Sequence, residues 1–524
     1  MTAERKFLLI DIVTLVICAV AVIFVQIRGI EIPQEDAAML LRYSEHFAEG
    51  EGIVWNIGEH PVDGATDFLF MIMVGLLAKT GFTVQVAARV LTLICHFITV
   101  VAVYLFLRYW RVSRNVASLA SALIIVGPAR YYVAAYFGTT TFALFGLLAW
   151  GVLLTMIIED DTRWHHIFSI LCLIVGLIRP EGTFLALFMT LALIYNLGLK
   201  KAKPVLTSML IILGLVGGSY LIWRKVYFGY FLPNPFFIKG GFEFENLTAS
   251  VVRTACLTFP LIAATPILLW FKKTRSQTII LLFPVIGFTV IFAFMSNQMN
   301  FVSRFQYILL PITVVSMSLI VWTLKDEISV SISKRFASPL FSISVSSWIL
   351  IFFACWYGYF FSYKFTHDST YDVGKMLSKY NNGNYTLATT EAGLISLYSG
   401  WKSIDAYGLN DQWIAHNGGI DEGYLDRYKP QVILMHGSYR PLDDWSFQGD
   451  DPWPSMLKVL QKYAIDNNYT LAAAHGISPQ SVHYYYVRND FPESEKIITK
   501  IQNMQYFKLG EMKPSINFAL LQHH

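Results

Sequence analysis

Long apolar runs separated by short polar segments extend from the N-terminus to about residue 361, and they constrain the fold more than any other feature. A transmembrane helix needs about 20 mostly apolar residues. Several runs are somewhat shorter, so we expect their ends to extend into flanking aromatic residues. Only 15% of the residues are charged, against about 25% in soluble proteins. The pattern predicts a polytopic α-helical membrane protein with about eleven spans. The runs lie near residues 7–27, 86–107, 116–128, 141–158, 167–178, 183–196, 205–223, 250–270, 278–296, 305–324 and 340–361.

Clusters of basic residues predict the orientation of these spans. Together with Lys6, the clusters all fall on one side of the predicted membrane, and such clusters favour the cytoplasmic side. An odd number of spans then places the N-terminus in the cytoplasm and the region after residue 361 outside. The basic clusters lie at residues 108–114, 159–166, 200–203, 272–275 and 325–335.

The composition changes after residue 361, where polar residues become frequent. Strand-like segments at 385–390, 430–437 and 481–490 alternate with helix-like segments at 370–380 and 453–466. Such alternation is typical of an α/β domain. We therefore predict two domains, a transmembrane domain over residues 1–361 and an extracytoplasmic α/β domain over 362–524.

The five cysteines lie in apolar runs of the first domain. Neither a disulfide framework nor a cysteine metal site is therefore expected. The sequence contains neither GxGxxG nor GxxxxGK[ST]. No nucleotide site and no nucleic-acid partner are predicted.

The external loop, over about residues 29–85, contains the most informative polar sequence. Its segment "EDAAMLLRYSEHFAEG" predicts a helix with Glu35 and Asp36 in the first turn, where the helix dipole favours negative charge. One of these acids is a candidate catalytic base or metal ligand. The alternative is that they only solvate the start of a helix. We expect the apolar positions to face the membrane: Ala37, Leu40, Leu41 and Phe47.

The same loop contains a shorter apolar segment, residues 67–78. It is too short to cross a hydrocarbon core of about 30 Å. We predict a juxtamembrane helix that lies against the outer leaflet.

Two adjacent apolar runs are joined by "LIRPEG", which contains Arg179 and Glu181. Charges at membrane depth are costly and usually functional. Pro180 and Gly182 are expected to interrupt the helix and orient Glu181. The alternative is a tight turn closed by an Arg–Glu ion pair.

Two further cations are expected on the outer side. Lys239 follows "LPNP", and Arg304 lies in "SRFQY" at the end of a span. Either side chain suits a phosphate, which Arg binds in a bidentate manner. The alternative for both is anchoring at the membrane interface.

The segment over residues 389–411 of the second domain contains acids and amides between glycines. Its polar candidates are Glu391, Asp405, Asn410 and Asp411. Alone they indicate only strands and turns. His416 is a single imidazole, for which we expect a structural role.

These segments occur in an order that resembles the GT-C membrane glycosyltransferases. The loop "EDAAMLLRYSEHFAEGEGIVWNIGEHPVDGATDFLF" resembles the first loop of a bacterial group that includes the terminal β-(1→2)-arabinofuranosyltransferases of mycobacterial cell walls. The segments "RPEG", "YGYFLPNPFFIK", "SRFQYILLP" and "EAGLISLYSGWKSIDAYGLND" resemble later motifs of that group. The landmarks extend over residues 30–420.

The resemblance implies a GT-C enzyme of the bacterial inner membrane, in contact with membrane lipids. Its donor would be a polyprenyl-phosphate sugar, with arabinofuranose as the sugar. Its acceptor would be a glycan, lipid or protein of the cell envelope, reached from the periplasmic side.

The resemblance also assigns residues. It makes Asp36 the catalytic base, and Glu35 stands where the group has Asp. Arg304 and Lys239, with Arg179, would bind the donor phosphate. Asp67 replaces the group's Asn or Ser. The candidate substrate-binding residues are Arg42, Tyr43, Asn56, Glu59, Asp67, Glu181, Asn234, Glu391, Asn410, Asp411 and His416.

Other interpretations stay open at this point. Glu35 and Asp36 could share a Mg²⁺, Mn²⁺ or Ca²⁺ ion, since these cations prefer oxygen ligands. A GT-C enzyme could instead transfer mannose or another sugar to a lipid or a pilin-like protein. A transporter would show polar residues near mid-membrane and often inverted repeats, whereas here the polar residues fall at one face. An anchored scaffold protein would need only one span.

Overall fold

The computed structural model describes several stretches of the chain, and all structural statements refer to these residues. The predicted span 340–361 and the basic segment 325–335 lie outside them. The described stretches are residues 3–27, 31–239, 241–259, 262–297, 299–324, 369–381, 384–438, 452–478 and 481–504.

The part up to residue 324 is helical. Helix α9 continues through a π-helical segment, Ile212–Gly217, into α10, and short 3₁₀ turns occur at Ile262–Ala264 and Phe301–Ser303. The helices are α1 (Ala3–Ile27), α2 (Glu35–Glu49), α3 (Phe68–Ala78), α4 (Val84–Tyr109), α5 (Arg114–Ile125), α6 (Ala129–Ala135), α7 (Thr139–Glu159), α8 (His165–Ile178), α9 (Glu181–Ile211), α10 (Gly218–Phe228), α11 (Asn234–Lys239), α12 (Phe244–Thr258), α13 (Thr265–Trp270), α14 (Lys272–Ile291) and α15 (Leu309–Thr323).

Six helices in the described stretches are long and apolar enough to span a bilayer, and one bent pair would make a seventh. The prediction of a polytopic helical membrane protein is confirmed. The number eleven stays a prediction, because the last predicted run lies outside the described residues.

Two of the predicted runs differ from straight separate spans. The runs 183–196 and 205–223 belong to one helical stretch, Glu181–Phe228, which is kinked at Gly198. The run 250–270 is broken, since α12 and the segment Ile262–Trp270 meet at 94°. Pro266 lies at the start of α13, and proline suits the first turn of a new helix because it has no amide hydrogen to bond backwards.

The predicted helix after the first span is confirmed as α2, but the expected lipid-facing side is wrong. Ala37, Leu40 and Leu41 are each 8% exposed or less and belong to the protein core. Helices α3 and α4 and the C-terminal domain pack against α2, so protein rather than lipid covers its apolar residues. The segment 67–78 forms the short apolar helix α3.

The C-terminal part contains a five-stranded sheet, in the spatial order β2 (Lys402–Asp405), β1 (Thr386–Thr389), β3 (Val432–Gly437), β5 (Ser481–Arg488) and β4 (Tyr469–Ser478). Strands β2, β1 and β3 are parallel, and β5 is antiparallel to both β3 and β4. The three predicted strands and the α/β class are confirmed. The elements are α16 (Ser369–Leu377), a 3₁₀ turn (Ser378–Tyr380), β1 (Thr386–Thr389), α17 (Leu394–Ser399), β2 (Lys402–Asp405), α18 (Gln412–His416), α19 (Glu422–Tyr428), β3 (Val432–Gly437), α20 (Pro452–Asp466), β4 (Tyr469–Ser478), β5 (Ser481–Arg488) and α21 (Ser494–Gln502).

The central strand β3 is buried on both faces. Ile433 and Met435 belong to one apolar cluster, and Val432 and Leu434 belong to a second cluster. Such double burial is typical of a sheet covered by helices on both sides. The segments that follow β1 and β2 contact α2, through Leu394 with Glu35 and through Asn410 with Met39. The carboxyl ends of two parallel strands therefore meet the helical part.

Candidate functional site

A cavity of ≈ 680 Å³ lies where α2, α3, the α8–α9 turn, α10 and α11 meet the segment 291–305. Small-molecule sites are typically clefts of about 300–1,000 Å³. Six of the ionisable side chains that line it are residues predicted from the sequence. We call it the Asp36 cavity, and its charged lining residues are Asp36, Asp67, Arg179, Glu181, Arg224, Lys239 and Arg304.

The first turn of α2 and the segment before α15 bring Asp36 and Arg304 together. Arg304 Nη2 lies 2.5 Å from Asp36 Oδ2. The guanidinium carbon is 4.0 Å from the ring centroid of Phe137 and 4.9 Å from that of Phe305. Arg304 Nε is buried and has no hydrogen-bond partner among the described residues. The guanidinium is thus fixed by the carboxylate and two rings, with one donor unused.

Arg179 is held between two carboxylates. Helix α8 ends at Ile178, Arg179 is extended, and α9 begins at Glu181. Arg179 Nη2 lies 2.6 Å from Glu181 Oε1, and Nη1 lies 3.1 Å from Asp67 Oδ1. The expected helix interruption and the Arg–Glu pair are therefore both present, and Arg179 has less capacity for a phosphate than Arg304.

Lys239 ends the short helix α11 and points its charge toward the same cavity. Burial lowers the pKa of Lys239, and the nearby Asp36 carboxylate opposes that shift. Lys239 has no ion-pair partner in the described part of the chain, and its Nζ lies 5.5 Å from the ring centroid of Tyr407. Asn234 begins α11 and is buried. Its Nδ2 has no hydrogen-bond partner among the residues that the structure describes.

Sequence reasoning missed Arg224. This side chain of α10 lines the cavity and forms a buried ion pair with Asp63 of the external loop. The available signal was an arginine near the end of an apolar helix, where a charge usually has a buried partner.

The charges around the cavity balance before any ligand binds. Four cations and three carboxylates line it, and Asp63 behind Arg224 adds a fourth carboxylate. Within this set, Lys239 is the cation without an ion pair. A small anion in the cavity would therefore meet an unpaired ammonium group beside the Arg304 guanidinium.

Glu35 does not line the cavity, although it adjoins Asp36. Its two carboxylate oxygens accept the backbone N–H groups of Gly393 and Leu394 at the start of α17. A Cβ at position 393 would lie 2.0 Å from the Glu35 carbonyl oxygen, so this close approach requires glycine.

These partners bear on the expected divalent ion at Glu35 and Asp36. The Glu35 oxygens are occupied by amides, and the Asp36 carboxylate faces the Arg304 guanidinium. A cation shared by both acids would lie beside the positive charge of Arg304 and would compete with two backbone amides for the Glu35 oxygens. A divalent ion shared by Glu35 and Asp36 stays a prediction.

Several candidate substrate-binding residues lie outside the cavity, where they connect α2 and the external loop to the C-terminal domain. Arg42 is buried and donates to the carbonyl oxygens of Trp55 and Trp401 at 2.9 Å each, and also to that of Ser396. Asn56 accepts the amide of Ser403 at 2.9 Å. These contacts fix the helix that carries Asp36.

Two more loop candidates have protein neighbours. Glu59 pairs with Lys402 at 2.5 Å. Tyr43 is fully buried and packs against Trp55, with ring centroids 5.5 Å apart. A substrate-binding role for either residue stays a prediction.

The candidates from the second domain are distributed over its loops. Asn410 Nδ2 donates to Asp405 Oδ2 at 2.8 Å, and Asp411 caps α18 and accepts the Tyr424 hydroxyl at 2.6 Å. The His416 ring stacks on Tyr230 with centroids 3.9 Å apart. None of these three residues lines the Asp36 cavity.

Glu391 belongs to a second polar cluster, which sequence reasoning did not assemble. Its carboxylate lies between His436 on β3 and His483 on β5, at 2.6 and 2.7 Å. Burial would raise the pKa of Glu391, but the two imidazoles outweigh it and hold that pKa well below its usual range. We call these three residues the Glu391 cluster.

Comparison with known proteins places the fold. A family described as a domain of unknown function, DUF8728, matches residues 362–489, which is less than half of the chain. No curated protein matches significantly.

Three solved structures resemble nearly the whole chain. ArnT from Cupriavidus metallidurans bound to undecaprenyl phosphate is 14% identical, with a TM-score of 0.55 over 92% of this chain and 98% of ArnT. ArnT in the apo state is also 14% identical, with a TM-score of 0.53 over 92% of this chain and 98% of ArnT. The Archaeoglobus fulgidus oligosaccharyltransferase, tethered to an acceptor peptide, is 12% identical, with a TM-score of 0.52 over 93% of this chain and 75% of that protein.

The chain therefore has the GT-C fold with a C-terminal α/β domain. At such low identities the likeness describes the fold, and the chemistry must be argued from the residues.

Proposed function

We propose that this chain is a GT-C glycosyltransferase that moves a sugar from a polyprenyl phosphate to a cell-envelope acceptor at the periplasmic face of a bacterial inner membrane. The observation that carries the proposal is the Asp36 cavity, where a carboxylate lies beside Lys239 and the Arg304 guanidinium. A base next to anion-binding donors is what transfer from a phosphate leaving group requires.

The cavity also suits a lipid-linked donor. Apolar side chains of α8, α9 and α10 form much of its wall, including Leu173, Phe184 and Leu221. Phe184 and Leu221 are 42% and 46% exposed at the protein surface. An isoprenoid chain could pass along this wall while its phosphate reaches the polar end. One of the similar structures, ArnT, binds undecaprenyl phosphate.

Each polar residue has a distinct task in this proposal. Lys239 and Arg304 bind the phosphate, and a phosphate that takes the donors of Arg304 loosens its hold on Asp36. Asp36 then accepts the proton of the acceptor hydroxyl. The acceptor oxygen forms the new bond to the anomeric carbon, and the polyprenyl phosphate leaves with the electron pair of the broken C–O bond.

Arg179 is proposed to act mainly through its neighbours. It holds Asp67 and Glu181 on the cavity wall, where both carboxylates can accept hydrogen bonds from sugar hydroxyls. A direct contact between Arg179 and the phosphate stays a prediction.

We propose arabinofuranose as the transferred sugar, because the external loop resembles that of the arabinofuranosyltransferase group. The test is to incubate the purified protein with polyprenyl phosphates that carry arabinofuranose, mannose or glucose, and to measure release of polyprenyl phosphate with an oligosaccharide acceptor. Consumption of the arabinofuranosyl donor alone supports the proposal. Consumption of a different donor overturns the sugar but keeps the reaction class, and no consumption with any acceptor overturns the function.

A further inference from the structure

The Glu391 cluster lies at one edge of the C-terminal sheet, apart from the Asp36 cavity. His436 and His483 are directly opposite each other on the antiparallel strands β3 and β5. Glu391 follows β1, the neighbour of β3. Its Oε1 lies 2.6 Å from His436 Nδ1, and its Oε2 lies 2.7 Å from His483 Nε2. Sheet pairing thus brings three side chains from three strand ends to one point.

Neighbouring side chains fix the orientation of His436 in this cluster. His436 Nε2 lies 3.1 Å from Ser481 Oγ, and the His436 backbone amide donates to Thr390 Oγ1 at 2.8 Å. A hydrogen bond to the second ring nitrogen of a metal-binding histidine orients the ring and fixes its tautomer. Ser481 therefore leaves Nδ1 of His436 as the atom that faces Glu391.

The cluster is sheltered but accessible. The His483 side chain is 4% exposed and that of Glu391 is 15% exposed, whereas that of His436 is 26% exposed. An ion could enter on the His436 side, and a water molecule could complete its coordination there.

We propose that Glu391, His436 and His483 form a binding site for a divalent transition-metal ion of the zinc class. One ligand atom from each residue lies within 4.8 Å of the others. Two imidazoles and a carboxylate are a known zinc ligand set, with the fourth position open to water. Imidazole ligands favour zinc and its neighbours over magnesium or calcium.

The simpler alternative is a hydrogen-bonded triad in which the carboxylate accepts an N–H from each imidazole. A bound ion would replace those two bridging protons. At metal–ligand distances of about 2.0–2.2 Å, the ligand atoms of a tetrahedral site lie about 3.3–3.6 Å apart. The required shift is several tenths of an ångström at each side chain.

The ion would stabilise the segment that connects the two polar sites. Glu391 precedes Gly393 and Leu394, whose amides bind the Glu35 carboxylate. Glu35 in turn adjoins Asp36. An ion at the Glu391 cluster would thereby stabilise the first turn of α2. An effect of the ion on catalysis rests on the proposed function, whereas the metal site is independent of that function.

The test uses the full-length protein in detergent after treatment with a chelator. Zn²⁺ is titrated in competition with a chromophoric zinc chelator, and Co²⁺ is titrated separately while visible absorption is recorded. We expect one tight site per chain and cobalt bands of a four-coordinate nitrogen–oxygen site. Absence of a tight site, or cobalt spectra of a hexa-aqua ion, would overturn the proposal.

Variants identify the ligands. Loss of a residue that merely orients a ligand costs about 10–100-fold in metal affinity, so H436Q and H483Q should each lose about 100-fold or more. H60Q is the matched control, since His60 is exposed in the external loop and its replacement should leave the affinity unchanged. Equal affinity in H436Q and the wild-type protein would assign the ion to another place and refute the site.

His436 is more exposed than His483, so H436Q is the variant that should disturb folding least. If the variants fail to fold, the cobalt spectrum of the wild-type protein still tests the site. Metal affinity is read without any sugar donor. Zinc binding without sugar transfer would support the metal site and refute the proposed function. Sugar transfer without zinc binding would support the proposed function and refute the metal site.

Discussion

The Asp36 cavity and the Glu391 cluster are both built from ionisable side chains, but they offer opposite chemistry to a ligand. The cavity presents an unpaired ammonium group beside a guanidinium group, which suit an anion. The cluster presents a carboxylate and two imidazoles, which suit a cation. One short segment, residues 391–394, connects the two sites, since Glu391 belongs to the cluster while the amides of Gly393 and Leu394 bind Glu35 next to Asp36.

The most severe test of the cavity is Asp36→Asn. The amide cannot accept a proton, and general base catalysis typically contributes about 10²–10⁴-fold. We expect sugar transfer to fall by that factor while expression and thermal unfolding stay unchanged. Asp160→Asn, at an exposed pair with Lys201, is the control. A fully active Asp36→Asn enzyme would remove this residue from the mechanism.

Arg304→Ala should separate donor from acceptor recognition. Hydrogen bonds to charged groups contribute about 1.5–3 kcal/mol, so we expect the KM for the donor to rise about 10–100-fold. The KM for the acceptor should change far less. Arg304→Lys keeps the charge but loses the planar fork, so its donor KM should lie between those of the wild-type protein and Arg304→Ala. Arg163→Ala, at an exposed arginine, is the control. Unchanged donor affinity would argue against the phosphate role.

The contact between the two sites is tested by Glu35→Gln. The substitution removes the charge that accepts the amides of Gly393 and Leu394, which we expect to lower kcat by up to about 10-fold with little change in either KM. Glu49→Gln on the exposed end of the same helix should have no effect. A loss as large as that of Asp36→Asn would instead make Glu35 a participant in the chemistry.

The smallest effect is expected for Lys402→Ala. The pair between Lys402 and Glu59 is partly solvated, with side chains 37% and 31% exposed. Such pairs contribute about 0–1 kcal/mol, so transfer and the unfolding temperature should be nearly unchanged. A pronounced rise in acceptor KM would show that this part of the domain boundary binds substrate.

The sequence predicts the elements of the molecule better than their contacts. The length of the apolar runs predicts the membrane class, and the pattern of "EDAAMLLRYSEHFAEG" predicts α2. The same pattern misjudges the environment of Ala37 and Leu40, because apolar spacing does not distinguish a lipid neighbour from a protein neighbour. Only tertiary structure shows that the C-terminal domain covers this helix.

The two polar sites also differ in how far the sequence predicts them. The cavity residues could be placed on one side of the membrane from charge distribution and resemblance, so their proximity was foreseeable. The predicted strands contain both His436 and His483, but their register depends on strand order and pairing, which local patterns do not determine. The Asp63–Arg224 pair was missed for the same reason.

The buried Arg42 links residues made at very different times during synthesis. Its guanidinium binds the carbonyls of Ser396 and Trp401, which follow it by 354 and 359 positions. Asp36 emerges from the ribosome early, yet the helix that carries it acquires these partners only after the last domain has been synthesised and has folded. A truncated chain that stops short of that domain would therefore lack the contacts that hold α2 in place. The final position of an acid near the N-terminus thus depends on residues translated more than 350 positions later.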